Sequence, residues 1–148
     1  MNARTRLAAG VVALLFSTAL WADEELRTAT STQFSVGQVW KYKTREGETA
    51  SRAHVGKIDS IGDNIIVHVK LTGLVIKAGG EVGSVVAHTP IAEEALARSV
   101  TELTSETPNL EQFSDGYAAW REAFDAEDAG WFTLSLAEVV GTIEAGLN

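Results

Sequence analysis

The spacing of apolar residues changes once along this chain of 148 residues, and the change limits the folds that it can adopt. Between Phe34 and Ala87 apolar and polar residues tend to alternate, most clearly from Ile65 to Leu71. Such alternation is typical of β-strands with one buried face. Beyond residue 89 apolar residues recur every three or four positions, as in amphipathic helices. This order predicts an α+β domain, in which an antiparallel meander of four to five strands precedes two to three helices packed on one face.

Turn residues divide the first half of the domain into five predicted strands. Short polar turns are expected at 46–48 and 60–64, and a glycine-rich loop at 78–83. Because these connections are short, neighbouring strands should pair in antiparallel fashion. The strands are expected at Phe34–Arg45, Ser51–Ile58, Ile65–Leu71, Leu74–Lys77 and Ser84–Ala87.

Up to three helices are predicted in the second half. Thr89-Pro90 predicts the first helix start, because a hydroxyl can cap the first turn and proline fits the first helical position. Ser114 is expected to cap the second helix, and Gly130 to end it. A short last strand is expected at 131–134, and Ser135-x-x-Glu138 predicts a capping box for the third helix. The three apolar stripes are Leu96, Val100 and Leu103, then Tyr117, Trp120 and Phe124, then Leu136, Val139, Val140, Ile143 and Leu147.

The first 22 residues have the layout of a secretory signal peptide. Arg4 and Arg6 precede the apolar run Leu7–Leu20, and small residues allow cleavage after Ala19 or Ala22. The run has 14 residues, fewer than the ~20 that a membrane-spanning helix needs, so we expect no stable membrane anchor. The sequence therefore predicts a bacterial protein of the periplasm or the medium.

Residues 23–148 are predicted to form a single domain with a loosely ordered start at 23–33. The sequence contains no cysteine, which excludes disulfides, cysteine-ligated zinc, a lipid anchor on cysteine and thiol catalysis. Only the core can therefore stabilise the domain, and its 126 residues are enough to build one.

The charge of the mature chain is strongly negative and unevenly distributed. Without the leader the chain has 10 basic and 20 acidic residues, which disfavours nucleic acid and anionic lipid as partners. From Gly80 to Asn148 only Arg98 and Arg121 stand against 13 acidic residues. This acidic half can dock a basic envelope protein, or it can simply keep the protein soluble. The candidate binding residues are Glu111, Asp115, Tyr117, Trp120, Glu122, Asp125, Glu127 and Asp128.

The three histidines are candidate catalytic residues only under an alternative, enzymatic interpretation. His54 and His68 lie on consecutive predicted strands. An odd-length loop around Gly62 would place them on one face of the sheet, and an even-length loop on opposite faces. His88 follows a strand and could lie at its rim. The simpler interpretation is that all three imidazoles are structural.

No motif in the sequence predicts a metal or a cofactor. No two histidines have the spacing of ligands on one helix. Asp125–Gly130 has the sixth-position glycine of a calcium loop, but alanine stands at the fifth position and Leu136 at the twelfth. Phosphate-binding, dinucleotide-binding and nucleophile-elbow motifs do not occur in the sequence.

Three segments resemble a group of small, uncharacterised, exported bacterial proteins. The group opens with the pattern G-Q-V-W-x-Y-x-T-R-x-G-E, which matches Gly37–Glu48. The segments His88-Thr89-Pro90 and Tyr117-Ala118-Ala119-Trp120-Arg121 are similar to it too. The resemblance covers most of the mature chain, and it implies no activity, cofactor or catalytic residue.

Three functional hypotheses follow from these patterns. The first is a non-catalytic binding protein, in its sharpest form an inhibitor or immunity protein that occludes a basic envelope enzyme or toxin. The second is a small hydrolase or isomerase that uses histidine–carboxylate chemistry. The third is a structural or ligand-carrying sheet domain with a cavity under its helices. We expect a binding protein rather than an enzyme, because every catalytic motif fails. The oligomeric state is left open.

Overall fold

The computed structural model describes residues 24–148. Both expected cleavage sites precede residue 24, so the predicted signal peptide lies outside the described residues. None of the helices in 24–148 is long and apolar enough to cross a bilayer.

An antiparallel sheet occupies the first part of the chain and the helices follow, which confirms the predicted α+β class. The strands are β1 (Arg27–Thr28), β2 (Val39–Tyr42), β3 (Arg52–Ile61), β4 (Asn64–Thr72), β5 (Ile76–Ala78), β6 (Glu81–Gly83), β7 (Val86–Ala92) and β8 (Val100–Leu103). The helices are α1 (Glu93–Ser99), α2 (Phe113–Asp125) and α3 (Leu136–Gly146).

The main sheet has the strand order β7-β4-β3-β2-β8, and β1 also pairs with β3. Strands β2, β3 and β4 form the predicted meander. Strand β8 returns after α1 to pair with β2 at the far edge, while β5 and β6 form a separate hairpin. The predicted strand Leu74–Lys77 is therefore outside the main sheet. The start that we expected to be loose contains β1, which is in register with Asp59 and Ser60.

Both faces of β4 are buried. Val67, Val69 and Leu71 point to one face and have no solvent exposure. His68 points to the other face, where aromatic side chains of α2 contact it. Because successive side chains of a strand alternate between faces, α2 must cover the side opposite to the apolar core positions. This refines the expectation of a single covered face.

The first helix begins later than the sequence predicted. Thr89 and Pro90 lie within β7, where Thr89 pairs with Val69 in β4. Proline is tolerated there because β7 is an edge strand of the sheet. The helix begins at Glu93 and ends at Ser99, and the segment Val100–Leu103, predicted as helical, forms β8. Strand pairing with distant residues overrides the local capping signal at both ends.

The later helices were predicted with mixed success. Helix α2 begins at Phe113, so Ser114 is inside it, and it ends at Asp125, well before Gly130. The segment 131–134 makes only an isolated bridge to β7 instead of a strand. The capping box of Ser135 and Glu138 is confirmed at the start of α3. Leu147 follows that helix and is exposed, so it does not extend the apolar stripe.

Candidate functional site

A β-bulge at Gly56 determines which histidines share a face. Strands β3 and β4 pair Ile61 with Asn64, so the loop between them has an even length, which by itself predicts opposite faces for His54 and His68. The register shifts between Val55 and Lys57, however, and His54 pairs with Lys70. The bulge inserts one extra residue, so His54 returns to the face that carries His68.

Asp59, His68 and His88 form a line of polar side chains across β3, β4 and β7. His68 Nε2 lies 3.0 Å from Asp59 Oδ2, and His68 Nδ1 lies 2.8 Å from His88 Nε2. Asp59 and His68 are completely buried. The Nε2–H bond of His68 is not aligned with the carboxylate, so the contact is electrostatic rather than a well-formed hydrogen bond.

The carboxylate favours the tautomer of His68 that carries its proton on Nε2. His68 Nδ1 is then an acceptor, and His88 Nε2–H donates to it across the 2.8 Å contact. The two rings stack with an interplanar angle of 20°. At neutral pH, therefore, one proton lies between the two imidazoles and holds them together.

Asp59 has further partners that keep it ionised. The Tyr117 hydroxyl donates to Oδ2 at 2.7 Å, and Lys57 Nζ donates to Oδ1 at 2.9 Å. Lys57 also donates to Thr28 of β1. Burial raises the pKa of Asp59, but its contacts with His68, Tyr117 and Lys57 outweigh burial and lower the pKa to about 2. The charge of Asp59 is thus balanced by its ion pair with Lys57.

Burial keeps the two imidazoles uncharged at neutral pH. Desolvation lowers the pKa of His68, and the nearby Asp59 opposes that effect only in part. Desolvation and the neighbouring His68 lower the pKa of His88 to about 3. Burial and the Asp59 charge raise the pKa of Tyr117 to about 12. All three side chains are therefore neutral under ordinary conditions.

Helix α2 covers this cluster with aromatic rings and approaches it closely. The ring of His68 lies 4.7 Å from that of Trp120 and 4.9 Å from that of Tyr117. Two glycines allow the approach. A Cβ atom at Gly116 would lie 2.8 Å from Cβ of His88, and one at Gly56 would lie 2.4 Å from the ring of Phe113.

His54 belongs to a separate, structural arrangement. Its Nδ1 accepts a hydrogen bond from the backbone N–H of Asn109, which leaves the proton on Nε2 to donate to Thr72 Oγ1 at 3.0 Å. Lys70 donates to the backbone carbonyl of Glu111 at 2.7 Å. Together these bonds attach the segment that precedes α2 to the sheet. Of the three predicted histidines, only His68 and His88 come together.

The structure divides the predicted binding residues into an exposed acidic set on α2 and its flanks and an aromatic pair on the inner side of α2. The six carboxylates are exposed, but the two aromatic side chains are half-buried and face the sheet. Tyr117 donates to Asp59, and Trp120 Nε1 donates to the Gly130 carbonyl at 2.7 Å. The aromatic rings are therefore held on the inner side and are not available as surface anchors in this conformation. The exposed set is Glu111, Asp115, Glu122, Asp125, Glu127 and Asp128.

The histidines belong to no candidate metal centre within the described residues, and one surface cavity lies away from them. Within residues 24–148 no three His, Asp or Glu side chains are placed to hold a metal ion. An open surface cavity of about 400 Å³ is lined in part by Leu26, Arg121 and Phe124, and by none of the histidines.

Sequence reasoning missed Lys57 and Asp59. The signal was only partly present, because Lys57 lies in the predicted strand Ser51–Ile58 whereas Asp59 lies just beyond it, and the structure extends β3 to Ile61. No protein-family model matches the chain, and no curated protein or solved structure is significantly similar to it. Function is therefore argued from the residues of the site alone.

Proposed function

We propose that this protein is an exported, non-catalytic binding protein that docks a basic envelope protein against the outer side of α2. The observation that carries the proposal is the exposure of six carboxylates on this helix and its flanks. Arg121 is the only basic residue between 111 and 128, and Asp125 already pairs with it at 3.2 Å. We call the surface formed by these six carboxylates the acidic face.

The inner side of α2 supports this role by fixing the helix in place. Tyr117 attaches it to the sheet through its hydrogen bond to Asp59, and Trp120 does so through its ring contact with His68, so the carboxylates are presented on a fixed support. Complementary charge mainly accelerates association and selects the partner. In the sharpest form of the proposal, the partner is a cell-wall hydrolase or toxin whose active site is blocked sterically.

Matched sets of charge-neutralising substitutions test the acidic face. One variant combines Asp115→Asn, Glu122→Gln and Asp128→Asn, and the control combines Glu46→Gln, Asp63→Asn and Glu81→Gln, which are also exposed. Both variants change the net charge equally. We expect the wild type and the control, immobilised, to retain the same basic protein from an envelope extract, and the first variant to lose it. Equal retention by all three, or repeated capture of no basic protein, would contradict the proposal.

One observation favours the enzymatic alternative, namely the line from Asp59 through His68 to His88. A carboxylate that orients an imidazole is a common arrangement for acid–base catalysis. Against it, α2 covers the pair, and the pKa of His88 at about 3 makes it a poor base near neutrality. A hydrolase assay in which the wild type turns over a substrate and a folded His88→Gln variant does not would favour an enzyme.

A further inference from the structure

The cluster under α2 combines features that a purely structural contact does not need. Two imidazoles on neighbouring strands share one proton at 2.8 Å, and the helix that carries the acidic face rests directly on them. The geometry requires that one ring nitrogen donates and the other accepts. If both imidazoles carry two protons, Nδ1–H of His68 points at Nε2–H of His88, and the hydrogen bond becomes a repulsion between donors.

The charged groups around the pair offer no compensation for two added positive charges. Strand β3 contributes Asp59, whose charge Lys57 already balances at 2.9 Å. Helix α2 contributes Tyr117 and, beside it, the cation Arg121. In β4, the cation Lys70 lies on the same face of the strand as His68. Asp125 balances the charge of Arg121. Among the described residues, the one anion that faces the pair is therefore Asp59, and Lys57 already balances it.

We propose that Asp59, His68, His88 and Tyr117 form an acid-released latch, which holds α2 on the sheet when the imidazoles are neutral and frees it when both are protonated. Release would expose Tyr117 and Trp120, whose rings are at present turned toward the sheet. The released helix would then present an aromatic side opposite its acidic face. The direction of the imidazole pKa values agrees, because burial disfavours the charged form of both rings.

The attachment of α3 provides an internal reference, because no imidazole contributes to it. The backbone N–H of Leu136 in its first turn donates a hydrogen bond to Ser99 Oγ. Its buried residues Leu136, Val139 and Val140 are apolar. Lowering the pH through the histidine range should therefore loosen α2 without loosening α3. A general loss of stability would affect both helices alike.

Amide hydrogen exchange of the isolated protein, followed by mass spectrometry between about pH 7 and about pH 5, tests the latch. The measured rates are first corrected for the intrinsic pH dependence of exchange. As the pH falls, we expect the opening constant of α2 (Phe113–Asp125) to rise about tenfold per pH unit for each proton taken up on opening. The opening constant of α3 (Leu136–Gly146) should rise much less. Parallel changes in the two helices would overturn the latch.

Two substitutions separate the latch from a general effect of buried histidines. His88→Phe retains an aromatic ring against Phe113 but cannot be protonated. It should therefore make the opening constant of α2 rise about tenfold less per pH unit than in the wild type. His54→Gln removes a histidine whose pKa burial also lowers but which contacts only the segment before α2, so it should change exchange in that segment and leave the slope for Phe113–Asp125 unchanged. An undiminished slope in a folded His88→Phe variant would overturn the latch, and if that variant fails to fold, the comparison of α2 with α3 in the wild type still decides.

The exposure of anchors for a partner rests on the proposed function, whereas the latch does not. Exchange is measured without a partner, and capture of a partner is measured at neutral pH. A protein that shows the exchange response but captures no basic partner would retain the latch and lose the proposed function.

Discussion

Two buried polar networks hold this domain together, and they differ in whether their charges are permanent. In the first, the buried carboxylate of Glu48 accepts two hydrogen bonds from Arg45, at 2.8 and 2.9 Å, and one from the Val75 backbone at 2.7 Å. Arg45 also donates to Glu144 in α3 at 2.9 Å, and Glu144 accepts from the Lys77 backbone. This network ties β5 to α3.

The second network runs from Lys57 through Asp59 and His68 to His88. Its carboxylate is as buried as that of Glu48, but its two imidazoles are neutral. The geometry of the second network depends on which imidazole nitrogen carries a proton. The geometry of the first network depends on charges that persist over the whole neutral range. The comparison teaches that burial alone does not make a polar network responsive to pH. A network responds in the range where its own groups change charge, and only the second contains imidazoles.

Removing Glu48 should have the largest effect on stability. Glu48→Ala leaves the half-buried Arg45 and the Val75 amide without their partner, and we expect the free energy of unfolding to fall by about 3 kcal/mol. Urea unfolding at neutral pH measures the change. The exposed neighbour provides the control, because Glu46→Ala should stay within about 0.5 kcal/mol of the wild type. Similar losses in the two variants would mean that the first network contributes little.

The pH dependence of stability should separate the two networks. The folded-state pKa of His88 is about 3, below its ordinary value of 6.5, so its contribution is complete above pH 6.5 and is lost as the pH falls toward 3. Between about pH 6.5 and about pH 5 we expect it to remove about 2 kcal/mol of unfolding free energy.

Titratable groups other than His88 also contribute to the pH dependence of stability, so the measurement requires a control variant. Arg45 hydrogen bonds lower the pKa of Glu48, so the first network should lose stability only as the pH falls below 4.5. His88→Phe should therefore reduce the slope of the profile above pH 5, where His54 and His68 still contribute, and leave the acid limb in place. A wild-type profile that is flat from pH 6.5 to 5 would show that the second network does not titrate as inferred.

Two tyrosine substitutions compare a hydrogen bond to a charged group of the second network with one between two neutral hydroxyls elsewhere in the domain. Tyr117→Phe removes a donor to the ionised Asp59 and should cost about 1.5 kcal/mol, since bonds to charged groups are the stronger ones. Tyr42→Phe removes a contact of 2.6 Å with the neutral Ser51 hydroxyl and should cost about 1 kcal/mol or less. Chemical denaturation of both variants measures the difference. An equal or inverted order would argue against an ionised Asp59.

Two glycine substitutions in helices should have opposite signs. Gly116→Ala places a methyl group 2.8 Å from Cβ of His88, so α2 must move away from the sheet, and we expect a net loss of about 1 kcal/mol. Gly141→Ala in α3 meets open space, so better helix propensity should stabilise the protein by up to about 1 kcal/mol. Thermal unfolding midpoints give both signs. A stabilising Gly116→Ala would show that α2 does not need its close approach.

Most of the fold class was readable in the sequence, because its signals are local. Alternation from Ile65 to Leu71 involves only neighbouring residues of one strand, and it predicted β4 almost to the residue, although both faces of that strand are buried. The capping box of Ser135 and Glu138 joins groups three residues apart, and the structure contains it. The exposure of the acidic residues on α2 follows from their spacing on a helix with an apolar opposite side.

The site itself was decided by tertiary structure. Gly56 has no local feature that announces a bulge, yet the bulge places His54 on the face of His68. His88 meets His68 only because β7 pairs with β4, which converts the expected helix start at Thr89-Pro90 into strand. Asp59 joins them across β3.

Sequence alone thus determined the period of each element and the sign of its exposed charge, since both depend on residues within a few positions of each other. Strand register, edge pairing and the meeting of Asp59, His68 and His88 depend on residues up to 29 positions apart in the chain. Such contacts gain free energy only once distant segments have been brought together, so no short stretch of sequence encodes them.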